Sequence, residues 1–192
     1  VPERREQIAD AAITIIAHDG MRALTHRAVD RELGLPGGST SYYFRTRRAL
    51  VESAVRRLTE RSRRDFENTA PPPGDLSSLA EDVARSLDRL LHTRRDDLIA
   101  RHALTVELSG DAELHALLAT CLFSRVHAAE LFDALGVADP YSAGADFVSV
   151  VEGLVFDRFM GARSLDGIEP GTERSVQQLM RAVESYLRGA TA

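Results

Sequence analysis

The stretch Leu24-Thr25-His26-Arg27-Ala28-Val29-Asp30-Arg31-Glu32-Leu33-Gly34-Leu35-Pro36-Gly37-Gly38-Ser39-Thr40-Ser41-Tyr42-Tyr43-Phe44 decides the fold. Thr25 is placed to cap a short helix over 26–32, because its hydroxyl can accept a bond from a first-turn amide. Gly34 stops that helix, and another short one is expected through 38–43. Two short helices joined by a tight, glycine-containing turn make a helix-turn-helix. Val29 and Leu33 lie one turn apart and can face Leu35 and Phe44. That locks the inner side and leaves the outer side of the second short helix free for a DNA major groove. Gly37-Gly38-Ser39 keeps the start of that helix small, so backbone can approach bases and phosphates. Hydroxyls follow through Ser41, Tyr42 and Tyr43, and Arg27, Arg47 and Arg48 flank the segment as phosphate contacts.

Outward from this stretch the pattern is helical throughout, with no alternating strand signal and no internal repeat. Ile8, Ala12, Ile15 and Ile16 form one face of a helix over 4–18, ended by Asp19-Gly20. Thr46 caps a long Arg-rich helix over 47–67, whose arginines at 56, 57, 61, 63 and 64 are expected to form a solvated face. Three consecutive prolines, Pro71 to Pro73, break the chain. Further helices follow: one from 76 with Leu79, Val83, Leu87 and Leu90, and one carrying Leu98, Ile99, Ala103 and Val106. The last three are expected at about 112–135, 140–162 and 172–188. The reading is all-α with about nine helices. Residues 1–46 form a helix-turn-helix domain, 47–68 a connecting helix and 69–75 a Pro-rich connector. Residues 76–192 form a ligand-binding and dimerisation domain.

Charge supports this division. Residues 1–68 hold 13 Arg against 10 acidic residues, a balance of +3, and the remainder holds 11 Arg against 19, or −8; together they give the net −5. A basic head on an acidic body is the asymmetry expected when one part meets phosphates. The basic residues are all Arg, as a GC-rich genome would favour. The N-terminus lacks the apolar core of a signal peptide and no run approaches a membrane span, so a cytoplasmic protein with no membrane partner is expected. A single cysteine, Cys121, excludes an internal disulfide.

The segment from about 4 to 50 resembles the DNA-binding domain of the TetR family, the tetracycline-repressor-like regulators. The shared pattern is Gly20, Leu24-Thr25, Val29, Leu33-Gly34-Leu35, Gly38-Ser39, Tyr42-Tyr43-Phe44, and a basic residue at Arg47 before Leu50. The resemblance implies DNA contacts from Thr25, His26 and Arg27, from Gly37, Gly38, Ser39, Ser41, Tyr42 and Tyr43, and from Arg47. Two departures stand out. Arg47 replaces the usual Lys and keeps its charge. Asp30 replaces the usual Ala where two helices meet, so it is expected to turn outward or pair with Arg27 or Arg31. Ser41 also stands where an aromatic is usual.

The helix expected at 140–162 carries Phe147, Val148, Val150, Val151, Leu154, Val155, Phe156, Phe159 and Met160 over more than half its circumference. A helix apolar nearly all round is buried on two sides. The second side is read as a partner subunit, with Phe147, Val151, Leu154, Leu179 and Val183 in a four-helix dimer seam. The resemblance implies the same homodimer. His102, Glu152 and Arg158 are polar groups on or beside apolar stripes. Each is read either as an internal structural group or as a contact to a small-molecule effector, with the internal role favoured.

The function expected is a DNA-binding regulator, a repressor released from a palindromic operator by a small molecule. An all-α enzyme is the rival, and the sequence does not favour it. Asp96-Asp97 lacks a third acid at metal-binding spacing, no His pair sits at i, i+4, and Cys121 has no nearby His. No catalytic residue, metal or cofactor is therefore expected. A helical protein-binding adaptor on the same fold is the other rival, separated by its lack of salt-dependent duplex binding.

Overall fold

The structure is a computed structural model that describes residues 3–67 and 75–192; the Pro-rich connector expected at 69–75 lies outside the described residues except for Asp75. Ten α-helices occur among the described residues, with no strand: α1 Arg4–Asp19, α2 His26–Glu32, α3 Ser39–Tyr43, α4 Arg47–Glu67, α5 Leu76–Thr93, α6 Arg95–Glu107, α7 Ala112–Ala119, α8 Arg125–Ala134, α9 Pro140–Phe159 and α10 Glu173–Ala190. A 3-10 turn, Ala162–Leu165, follows α9. No helix among the described residues is long and apolar enough to cross a membrane.

Side chains at the helix starts account for most boundaries. Thr25, Asp75, Asp111, Ser124, Asp139 and Thr172 each accept a bond from an amide of the following turn. Thr46 does the same for α4, accepting from the Ala49 amide at 3.1 Å. The single helix expected at 112–135 is two. Arg101, buried on α6, donates to the Leu118 carbonyl at 3.0 Å and satisfies it at the end of α7. Ser124 then starts α8 by accepting from the His127 amide. Val106, expected on the apolar stripe of α6, is 78% exposed.

Packing groups the helices in a way that their order along the chain does not show. Among the described residues, one compact unit takes 3–67 and 96–122; the other takes 75–95 and 123–192. In the first, α6 and α7 supply Ala100, Leu104, Leu114 and Leu118 to the core built on Ile8, Ile16, Leu24, Val29, Leu50 and Leu58. Arg56, Arg63 and Arg64 of α4 are exposed, as expected of a solvated face, whereas Arg48, Arg57 and Arg61 fasten this unit. Arg57 Nε lies 2.8 Å from Asp10 on α1. Arg61 reaches both Asp10 at 2.6 Å and Asp97 of α6 at 2.7 Å. Arg48 pairs at 2.7 Å with Asp111, the cap of α7.

In the second unit, α8 packs on α9, and α10 packs on α5 and α9. Phe132, Phe147 and Tyr186 form an aromatic cluster across α8, α9 and α10, with ring centroids 5.5 to 5.9 Å apart. The Tyr186 hydroxyl donates to the Ala143 carbonyl at 2.7 Å. Five residues of this unit are those expected in the dimer seam. Phe147, Val151, Leu179 and Val183 are buried within the unit itself, and only Leu154 of the five is half-buried. One stripe of α9, with Phe147, Val151, Val155 and Arg158, is buried, whereas Val148, Val150, Leu154 and Phe159 are half-buried and Phe156 is exposed.

Arg158 is also internal. It is 8% exposed, donates to Gln178 Oε1 at 3.2 Å and to the Ile168 carbonyl at 2.8 Å, and so ties α9 to α10 and to the loop between them. Burial lowers its pKa and the Asp88 carboxylate counters that, but a guanidinium stays charged. Asp88 in turn accepts from the Gly171 amide, fixing the same loop to α5.

Two outcomes follow from this packing. Arg158→Met should strand the Ile168 carbonyl and Gln178 and cost about 1–3 kcal/mol in urea unfolding; an unchanged midpoint would place Arg158 outside the fold's supports. A Cβ at Gly144 would lie 2.6 Å from the Ala129 amide nitrogen, which is backbone and cannot swing aside. Gly144→Ala gains about 1 kcal/mol of helix propensity, and overpacking opposes it by about 1–3 kcal/mol or more. A net loss of stability is expected, and a gain would mean that α8 and α9 can separate freely.

Candidate nucleic-acid interface

α3 has only five residues and cannot persist as an isolated helix. Its position comes from α2. Thr25 starts α2 by accepting from the Ala28 amide at 3.1 Å. At the other end Gly34 adopts φ +62°, its amide bonds the Arg31 carbonyl, and the Leu35 amide bonds the Asp30 carbonyl at 2.7 Å. That pair of bonds around a left-handed glycine closes the helix and turns the chain toward α3.

Asp30 then holds the start of α3. Its carboxylate accepts from the Gly38 amide at 2.7 Å, the Thr40 amide at 2.8 Å and the Thr40 hydroxyl at 2.6 Å. The residue is 3% exposed, so it neither turns outward nor meets Arg27 or Arg31 through these bonds, contrary to the expectation from its place in the sequence. Burial alone would raise its pKa. The Thr40 hydroxyl, the Thr40 and Gly38 amides and nearby His26 outweigh burial and hold it below the usual carboxylate range. A lowered folded pKa gives stability that is complete above the unfolded value of about 3.9 and is lost as pH falls through the folded one. The clip is therefore intact at neutral pH.

The far end of α3 is held as well. His26 Nε2 donates to the Phe44 carbonyl at 2.6 Å, since a carbonyl can only accept. Phe44 itself is buried in the core. Arg47 donates to the Met21 carbonyl at 2.6 Å and to the Leu24 carbonyl at 3.4 Å, clipping the start of α4 to the α1–α2 loop. Thr25, His26 and Arg47, all expected at DNA, thus also assemble the motif.

The outer side presents the others. Tyr42 is 81% exposed and meets Tyr43 edge-on with ring centroids 5.1 Å apart. Arg27, Gly37, Gly38 and Ser41 are exposed, and Ser39 is half-buried with its hydroxyl donating to the Pro36 carbonyl at 2.6 Å. Arg31 and Arg45 are exposed around the same motif. Arg5 stacks over the rings of Tyr43 and Phe44 at 6.0 and 5.2 Å. Sequence reasoning did not single out Arg5; a basic pair just before the apolar stripe of α1 was its only signal. Nor did it find the Asp30 clip, because rules for helix caps look one turn ahead and Thr40 lies ten residues on.

The three effector candidates are dispersed. His102, in the first unit, directs Nδ1 to the Leu98 carbonyl of its own helix at 2.7 Å. Glu152 is half-buried on α9, and Arg158 has the internal bonds described above. A surface cleft of about 270 Å³ in the second unit is lined by Arg85, Asp88, Arg89, His92, Gly171 and Val176, none of them among these candidates.

The model for the C-terminal domain of the tetracycline-repressor-like family matches residues 74–188. Among curated proteins none matches. Among solved structures, the multidrug-binding protein EbrR in complex with ethidium is similar at 27% identity, with 94% of this chain and 98% of that chain covered and a TM-score of 0.60. A TetR-family member from Streptomyces coelicolor A3 is 27% identical over 94% of this chain and 98% of that one, with a TM-score of 0.68. A transcriptional regulator from Rhodococcus sp. Rha1 shares the fold at 19% identity, covering 99% of both chains with a TM-score of 0.75. With more than half of its length matched by the family's C-terminal domain and a helix-turn-helix ahead of it, the chain belongs to the tetracycline-repressor-like family of transcriptional regulators.

Proposed function

We propose that this chain binds duplex DNA as a homodimer, with α3 in the major groove, and that a small molecule bound by its C-terminal region releases it as a repressor. The observation that carries the reading is the two-sidedness of α3. Its inner side is fixed by Asp30, His26 and Phe44, and its outer side presents Tyr42, Ser41 and flanking arginines. Helix-turn-helix dimers place two such helices about one DNA turn apart, or a multiple of it. Tyr42 and Ser41 supply neutral hydrogen bonds, and Arg27 supplies charge.

The family relationship supports the homodimer, and the burial pattern favours a seam on the outward face of α9. The outward face of α9 carries Phe156, 44% exposed, Met160, 51% exposed, and half-buried Leu154. These residues can reach a second copy, whereas Phe147 and Val151 cannot without unfolding the unit. The ethidium complex of EbrR supports a small-molecule effector in kind. An effector that releases DNA must bind the DNA-free form more tightly than the bound one, since equal affinity shifts nothing.

Three measurements check this. Arg27→Ala should flatten the plot of log affinity against log salt by about 1.8, the share of one neutralised phosphate in each half-site. Tyr42→Phe should weaken binding about thirtyfold, the worth of one neutral hydrogen bond of about 1 kcal/mol in each half-site, with the slope kept. Wild-type affinity for duplex DNA that does not vary with salt would end the DNA reading and favour a protein-binding adaptor. In sedimentation the wild type should be a dimer at micromolar concentration and Phe156→Glu a folded monomer; a wild-type monomer contradicts the assembly.

A further inference from the structure

We propose that Asp30 sets DNA sequence specificity without touching DNA, by fixing the recognition helix from behind and withdrawing its leading amides from the phosphate backbone. The inference rests on the DNA-binding reading above and adds a residue that reading does not use.

The geometry has two parts. First, α3 is a single short turn, so the angle at which its side chains meet base edges depends on what holds its ends. Asp30 makes three side-chain bonds to Gly38 and Thr40 at 2.6 to 2.8 Å, and its own carbonyl receives Leu35 at 2.7 Å. One residue therefore anchors the end of α2, the turn and the start of α3. Thr40, which receives this anchor, is wholly buried, so the clip cannot be replaced by water without opening the motif.

Second, a helix start ordinarily offers amides to a phosphate. Here the Gly38 and Thr40 amides go to Asp30, and the Ser39 amide goes to the Pro36 carbonyl at 3.1 Å. The Gly38, Ser39 and Thr40 amides are consequently not offered to DNA, and side chains take the larger share of what the start of α3 presents. A backbone–phosphate contact would grip any sequence, whereas side chains on a rigid helix distinguish base edges. Loss of the carboxylate should damage the second kind of contact and spare the first, since it frees two amides and removes a negative charge.

The test uses the full-length protein, a duplex enriched from a random pool by the wild type, and a scrambled duplex of equal length and composition. Asp30→Asn keeps the shape and one accepting oxygen, but sets its NH2 group against a donor, the Gly38 amide or Thr40. Thr40→Val keeps the volume and removes only the hydroxyl, which covers the case in which the Asp30 variant fails to fold. Thr40→Ser, which retains the hydroxyl, is the rescue control. For Asp30→Asn and Thr40→Val, affinity for the enriched duplex should fall about tenfold or more, the scale of one misread base pair. Affinity for the scrambled duplex should stay within about twofold or rise, with its salt slope unchanged. Thr40→Ser should behave as the wild type. An unchanged ratio between the two duplexes in folded variants overturns the proposal. So does a parallel loss on both, which would make the clip a general support of binding. A wild type that binds neither duplex overturns the DNA-binding reading and this proposal together, whereas wild-type discrimination that survives in the variants overturns this proposal alone.

Discussion

The carboxylate of Asp30, buried between two short helices and bonded to the start of the second, is the constraint on which the N-terminal arrangement depends. Five residues cannot form a helix by propensity, because nucleation fixes several residues before the first bond is gained. α3 exists because its ends are held: by Asp30 at its start and by His26 at the Phe44 carbonyl beyond its end. A buried charge is costly unless it is fully hydrogen-bonded. Three donors supply that here, and the same bonds determine which way Tyr42 and Ser41 point.

Charge performs two separate tasks in the same segment. The excess of arginine over acid in residues 1–68 reads as a basic head for phosphates, but several of those arginines are engaged inside the protein. Arg57 and Arg61 join α4 to α1 and α6, and Arg48 reaches the cap of α7. The long α4, which leads directly from the helix-turn-helix, is thus bracketed by ion pairs along much of its length. Arg27, Arg31 and Arg45 remain exposed around α3. Long-range attraction to DNA comes from the sum of these charges, while the paired arginines keep the helices in register.

What was legible in the sequence was local. Thr25 and Thr46 name the starts of α2 and α4, and Gly20 and Gly34 the ends of α1 and α2, because caps and left-handed glycines act within one turn. The family pattern was legible for the same reason, as residues at fixed spacing in one short segment. What escaped required knowing which neighbour covers which face. Periodicity does not say what covers which side of α9: Phe147 packs on Phe132 of α8 and Tyr186 of α10, while Phe156 is left 44% exposed. The break between α7 and α8 depends on Arg101 reaching the Leu118 carbonyl from another helix. Asp30 escaped because its partners lie eight and ten residues ahead, beyond any local rule.

The central claim is that two copies of α3 read duplex DNA together. Hydroxyl-radical footprinting of the wild-type protein on a duplex enriched from a random pool addresses it directly. The account predicts a sequence with two inverted half-sites and two protected patches separated by about one helical turn or a small multiple of it. No enriched sequence, or a single protected patch without symmetry, would contradict it.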